Sequence, residues 1–99
     1  SNAIFPFSIL DGIMMANSFH YIKDKPLLIE KLSRHLGSEG KLIIVEYDTD
    51  RANQCVPYPL PFNQLDVLFN QQGFNSIEKI GEYNSVYNSN KMYACVISR

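Results

Sequence analysis

Two short apolar runs, residues 11–16 and 41–46, enclose a stretch in which Leu28, Leu32 and Leu36 recur at four-residue spacing, with Ile29 widening the stripe. That pattern narrows the fold more than any other feature of the chain. Apolar runs without clean alternation suit buried parallel strands, and the leucine stripe suits a helix with one face on a core. Together they predict a strand over 11–16, a helix over 25–36 and a strand over 41–46, joined as a right-handed βαβ unit. Asp24 is placed to cap the helix and Pro26 falls in its first turn, where no amide donor is wasted. Gly37 is expected to close the helix, and Gly37 and Gly40 to bracket a turn before Leu42, Ile43, Ile44 and Val45, the strongest strand signal in the sequence.

The remainder reads as loop, helix and hairpin. Pro57, Pro59 and Pro61 forbid a regular helix over the second half of 47–61, which is expected to be a surface loop. Leu65, Leu68 and Phe69 mark a helix opened by Pro61 or Asn63 and ended by Gly73. Residues 74–87 read as an extended segment with Ile77, Lys79, Gly81 and Tyr83 on one side. Asn88, Ser89 and Asn90 form a turn, and 91–98 completes an antiparallel hairpin. The predicted class is α/β, and 99 residues hold only part of a larger doubly wound sheet, since each βαβ unit takes roughly 30 residues. Ser1, Asn2 and Ala3 are read as the remnant of a removed expression tag.

Several function classes lose support here. A formal charge of -1 with no run of either sign offers no electrostatic footprint for nucleic acid. The apolar stretches are too short or too interrupted for a membrane span of roughly 20 residues. There is no GxGxxG, Walker loop, HExxH or closely spaced cysteine pair, and therefore no self-contained nucleotide or zinc site. Cys55 and Cys95 could form one bridge, but they are too few for a disulfide framework. With no signal peptide read, reduced thiols and a cytoplasmic location are expected. Cys55 reads as the more exposed thiol and Cys95 as a small buried hydrophobe.

Ligands of open sheets bind beyond the carboxyl ends of the strands. Those ends are Ala16, Asn17, Ser18, Phe19 and His20 after the first strand and Glu46, Tyr47 and Asp48 after the second. His20 is suited there to proton transfer or to hydrogen-bonding a small ligand, against the plainer reading of a loop histidine. Glu46, Asp48 and Asp50 could ligate a divalent metal, although solvated carboxylates are the expected reading and no metal site is assigned. His35 is explained by its place near a helix C-terminus. Tyr47, Tyr58, Phe62, Tyr83, Tyr87 and Tyr93 supply aromatic surface, Tyr47 being the best placed for a ligand because it follows a strand end.

The stretches Leu10-Asp11-Gly12-Ile13, Ser18-Phe19-His20-Tyr21-Ile22-Lys23-Asp24 and Leu32 through Glu46, taken in this order, resemble the class I S-adenosylmethionine-dependent methyltransferases. The resemblance extends over nearly the whole chain. It implies a partial Rossmann-like sheet whose strands correspond to the family's fourth, fifth, seventh and sixth, in that spatial order, with a C-terminal antiparallel hairpin. It implies that residues 4–99 are the C-terminal half of a methyltransferase-like domain. Ala16 and Asn17 would then border the cofactor, Phe19 and His20 would form part of the cofactor or substrate pocket, His20 would act as a base where the acceptor is an oxygen or an acidic nitrogen, and Glu46 and Tyr47 would lie near the substrate entrance.

The family's glycine-rich loop and ribose-binding acid have no counterpart in this sequence. S-adenosylmethionine is therefore expected in the complete enzyme and not on this chain alone. The exposed sheet edge would pair with a second copy, giving a dimer, or with the missing half. Two further readings compete: a noncatalytic methyltransferase-like module that pairs with a complementary chain, and an unrelated small α/β protein such as a receiver-like domain. The acidic pocket and phospho-acceptor of a receiver cannot be assembled from these residues.

Overall fold

A computed structural model describes residues 10–84 and 91–99. In chain order it contains β1 (Leu10–Ala16), a 3-10 turn (Phe19–Tyr21), α1 (Lys25–His35), β2 (Leu36–Tyr47), α2 (Phe62–Gln71), β3 (Ser76–Asn84) and β4 (Lys91–Ser98). The strands form one mixed sheet in the order β1-β2-β4-β3. β1 runs parallel to β2, with Ile13 opposite Leu42 and Met15 opposite Ile44, and the other two pairings are antiparallel. The expected turn at 88–90, Tyr87, the apolar approach at 5–9 and the first three residues lie outside the described residues.

Strand alternation and the two helical stripes build a single core. Leu42 and Ile44 of β2 and Tyr93, Cys95 and Ile97 of β4 meet Ile29, Leu36, Leu65, Phe69 and Phe74, with Ile13, Met15 and Ile77 packed against them. Both helices therefore contribute to the same cluster. Asp24 caps α1 as expected, its side chain accepting from the Leu27 N–H at 3.2 Å.

α2 ends in a Schellman arrangement. Gly73 adopts φ +92°, its N–H donates to the Asn70 carbonyl at 3.2 Å, and the Phe74 N–H reaches the Phe69 carbonyl at 3.0 Å. The rings of Phe69 and Phe74 then pack edge to face, 5.5 Å between centroids, which supplies the apolar contact that accompanies this motif.

Four expectations are corrected. Gly37 does not close α1, and Gly37 to Gly40 are not a separate turn: β2 begins at Leu36 and absorbs them as an irregularity between the Leu10–Leu36 and Gly12–Lys41 pairs. The helix end is satisfied from a distance instead, since Arg99 Nη2 donates to the carbonyls of Ser33 at 2.6 Å and Leu36 at 3.0 Å. β1 is not a buried strand: it lies at the sheet edge, as the resemblance implied, and Met14 is 64% exposed. The segment 48–61 is irregular, as its prolines require, yet Val56 and Leu60 are buried, anchored by Asn53 Oδ1 accepting from the Val56 N–H and by Tyr93 Oη donating to the Leu60 carbonyl at 2.7 Å. Tyr83 is exposed and does not share a side with Ile77, because the register of β3 shifts between Lys79 and Gly81.

Candidate functional site

The carboxyl ends of β1 and β2 lie side by side, with Ala16 opposite Val45. Asn17 follows in the left-handed region at φ +56°, a conformation its short polar side chain tolerates, and its N–H donates to the Val45 carbonyl at 2.9 Å. This turn redirects the chain into Phe19–Tyr21. Phe19 points into the core beside Phe69 and is wholly buried, whereas Ala16 and Asn17 remain exposed.

His20 and Glu46 meet inside the protein. The His20 N–H donates to Glu46 Oε2 at 3.1 Å, His20 Nδ1 is hydrogen-bonded to Glu46 Oε1, and the Tyr47 N–H donates to the same Oε1 at 3.0 Å. Glu46 is fully buried and His20 almost so. Glu46 therefore does not stand at an entrance, nor is it a solvated strand-end carboxylate. It occupies the inward phase of β2 with Leu42 and Ile44, held against the buried imidazole of His20. An ionised carboxylate only accepts hydrogen bonds, so in this contact Nδ1 is the donor. The rings of Tyr21 and Tyr47 flank His20 at 4.3 and 5.8 Å between centroids, and Tyr47 is half-buried.

One participant was not singled out from the sequence. Lys25, at the start of α1, is buried, and its Nζ donates to the carbonyls of Ile22 at 2.6 Å and Tyr58 at 2.7 Å. Burial lowers its pKa, and the charge of Glu46 works in the opposite direction. The available signal was a cation at a helix N-terminus, where the dipole disfavours it.

The acidic group Glu46, Asp48 and Asp50 does not converge. Glu46 is committed to His20, and Asp48 Oδ1 accepts from the Phe62 N–H at 2.9 Å. Among the described residues no group of three His, Cys, Asp or Glu side chains is placed to hold a metal ion. A cleft of about 480 Å³ lies between Asp48, Asp50, the start of α2 and Lys79, and His20 does not line it. Cys55 is exposed, Cys95 is buried, and both are free thiols. Among the described residues no helix is long and apolar enough to cross a membrane.

No protein-family model matches the chain, and no curated protein matches it. Solved structures share its fold. The "putative type 11 methyltransferase from Sulfolobus solfataricus" superposes with a TM-score of 0.60 at 21% identity, over 91% of this chain and 50% of that one. The "putative O-methyltransferase" from Nostoc punctiforme PCC 73102 superposes with a TM-score of 0.59 at 14% identity, over 90% of this chain and 32% of that one. The chain thus spans half or less of the length of these structures. At this level of identity the likeness is one of fold: a mixed sheet with flanking helices, consistent with part of a Rossmann-like fold.

Proposed function

We propose that residues 4–99 are the C-terminal portion of an S-adenosylmethionine-dependent methyltransferase, and that His20, oriented by Glu46, is the general base that takes a proton from the methyl acceptor. In this reading β1, β2, β3 and β4 take the places of the family's fourth, fifth, sixth and seventh strands. One observation carries it: a buried imidazole–carboxylate pair stands at the carboxyl ends of two parallel strands, in a sheet that superposes on methyltransferase structures over nine-tenths of the chain.

The residues present fit one wall of a cofactor site and not a whole one. Ala16 and Asn17 offer an exposed rim after β1, Phe19 supports that rim from the core, and no glycine-rich loop or ribose-binding acid occurs in the sequence. In the complete enzyme the sulfonium supplies an electrophilic methyl group. This chain's own contribution is placement and proton handling: Tyr47 borders the acceptor's approach, and Glu46 holds His20 in the tautomer with Nε2 ready to accept a proton. The chain by itself is inactive, resides in the cytoplasm with reduced thiols, and uses the outer edge of β1 to pair with a second copy or with the missing half. That missing half can equally reside on a complementary chain, in which case this polypeptide is a partner module without activity of its own.

Two measurements test the reading. Calorimetric titration of this chain with S-adenosylmethionine should give no saturable complex, and a one-to-one complex at low micromolar concentration defeats the claim that half of the site is missing. Complemented with a polypeptide supplying the strand and glycine-rich loop, the chain should transfer labelled methyl to an acidic hydroxyl or nitrogen acceptor. His20→Ala should slow that transfer by about 10²-fold or more, and an undiminished rate removes His20 from the mechanism.

A further inference from the structure

Both helices cover the same face of the sheet. Leu42 and Ile44 of β2 and Cys95 and Ile97 of β4 pack with residues of α1 and α2, so strand alternation sends the residues between them the other way. The registers line up Met14, Ile43 and Val96 in one row across β1, β2 and β4, and Ala16, Val45 and Ala94 in the next. All six are apolar, none is buried, and Met14 is 64% exposed. Parallel strands usually have both faces covered, and an open apolar patch marks an interaction surface. The charges of this face stand at its rim and are of both signs. Lys41 of β2 lies opposite Ser98 and Glu78 of β3 opposite Val96, so the two flank β4 toward one end of the sheet. Both are exposed, and neither forms an ion pair with another described residue.

We propose that this open face is a docking surface for a second copy of the chain, packed sheet against sheet about a two-fold axis. Stacked sheets cross at about 30°, and a two-fold axis through the middle of the face exchanges its β2 side with its β3 side. Lys41 of each copy then comes over Glu78 of the other, and the apolar rows meet between these two ion pairs. A two-fold contact sets a patch against itself, so an uncharged middle with unpaired charges of opposite sign at the rim is complementary to its own copy. Four strands about 4.8 Å apart and three rows about 7 Å apart make a face on the order of 400 Å². That is about half of what each partner buries in a standard interface, so the dimer is weak and forms at high concentration. The contact leaves the outer edge of β1 free and does not depend on the methyltransferase reading.

The experiment is sedimentation equilibrium of the whole chain over a concentration series, with circular dichroism as the check on folding. The wild-type chain should dimerise. Val96→Lys, which sets a charge in the middle of the face on a strand remote from β1, should abolish the dimer. Lys41→Glu and Glu78→Lys should each raise the dissociation constant about fivefold or more, because each brings like charges together twice. Lys41→Glu/Glu78→Lys should restore the wild-type value, and an equimolar mixture of the two single variants should associate more tightly than either alone. A monomeric wild-type chain overturns the proposal and leaves the face to the missing half. Dimerisation that persists in a folded Val96→Lys chain overturns it in favour of pairing through the edge of β1. Single charge variants that dimerise like the wild type, or a mixture no tighter than its components, overturn it as well. If Val96→Lys does not fold, the exposed rim variants decide the question alone.

Discussion

Glu46 grips His20 twice, accepting the backbone N–H at 3.1 Å through one carboxylate oxygen and holding Nδ1 through the other, across a separation of 26 positions in sequence. The same carboxylate accepts the Tyr47 N–H at 3.0 Å. Glu46→Ala strands three buried or half-buried donors at once and should destabilise the fold by about 3 kcal/mol or more, read from urea unfolding. Glu46→Gln preserves the shape and one acceptor oxygen and should cost less. Equal and small effects of both would show that the pair contributes little to folding.

The two cysteines should separate cleanly by reactivity. Cys55 is exposed, while Cys95 is buried with its thiol pushed up to about 11, desolvation being the main cause. Ellman's reagent at pH 8 should consume one thiol in the native chain and two in guanidinium. Because the folded state keeps the Cys95 proton after the unfolded state begins to lose it, this group contributes stability below pH 9 that fades as pH rises toward 11. The alkaline loss should be smaller in Cys95→Ala, and an identical loss in both chains would assign it elsewhere.

Gly73 and Gly81 make a matched pair of tests. A Cβ at either position meets nothing within 4 Å, but only Gly73 has a positive φ, +92°. Gly73→Ala should therefore cost about 1–2 kcal/mol through backbone strain alone. Gly81→Ala should range from neutral to about 1 kcal/mol stabilising, since it narrows the unfolded ensemble without strain. Thermal or urea unfolding of the two variants checks the difference.

The outer edge of β1 has no partner strand among the described residues, and Met14 on that strand is 64% exposed. An unpaired edge of this kind recruits further strands, and a charge on it discourages them. Light scattering at high concentration should find the wild-type chain associated and Met14→Lys shifted toward monomer. A monodisperse wild-type monomer would end the proposal of self-association.

How much of this was legible in the sequence varied with the range of the interaction. α1 starts at its capping aspartate and α2 stops at its glycine because those signals act over a few residues, through side-chain and backbone hydrogen bonds that neighbours alone decide. The close of α1 was misread for the opposite reason. A glycine lay where one commonly ends a helix, but Arg99, more than sixty positions away, supplied the donors that made a glycine cap unnecessary. Val56 and Leu60 sit among prolines in a polar stretch, and only docking against the sheet shows them to be core.

The candidate site divides along the same line. Hydrophobic periodicity and helix caps, properties of residues near one another in the chain, were sufficient to determine a βαβ unit with His20 after one strand and Glu46 at the end of the next. Whether those two groups meet depends on the phase of β2. The residues absorbed at 37–40 help set that phase, and the parallel register of β1 against β2 brings the two strand ends level. Only the folded chain could turn Glu46 inward to His20, because burial and long-range pairing arise from packing the sheet against its helices and not from any local preference.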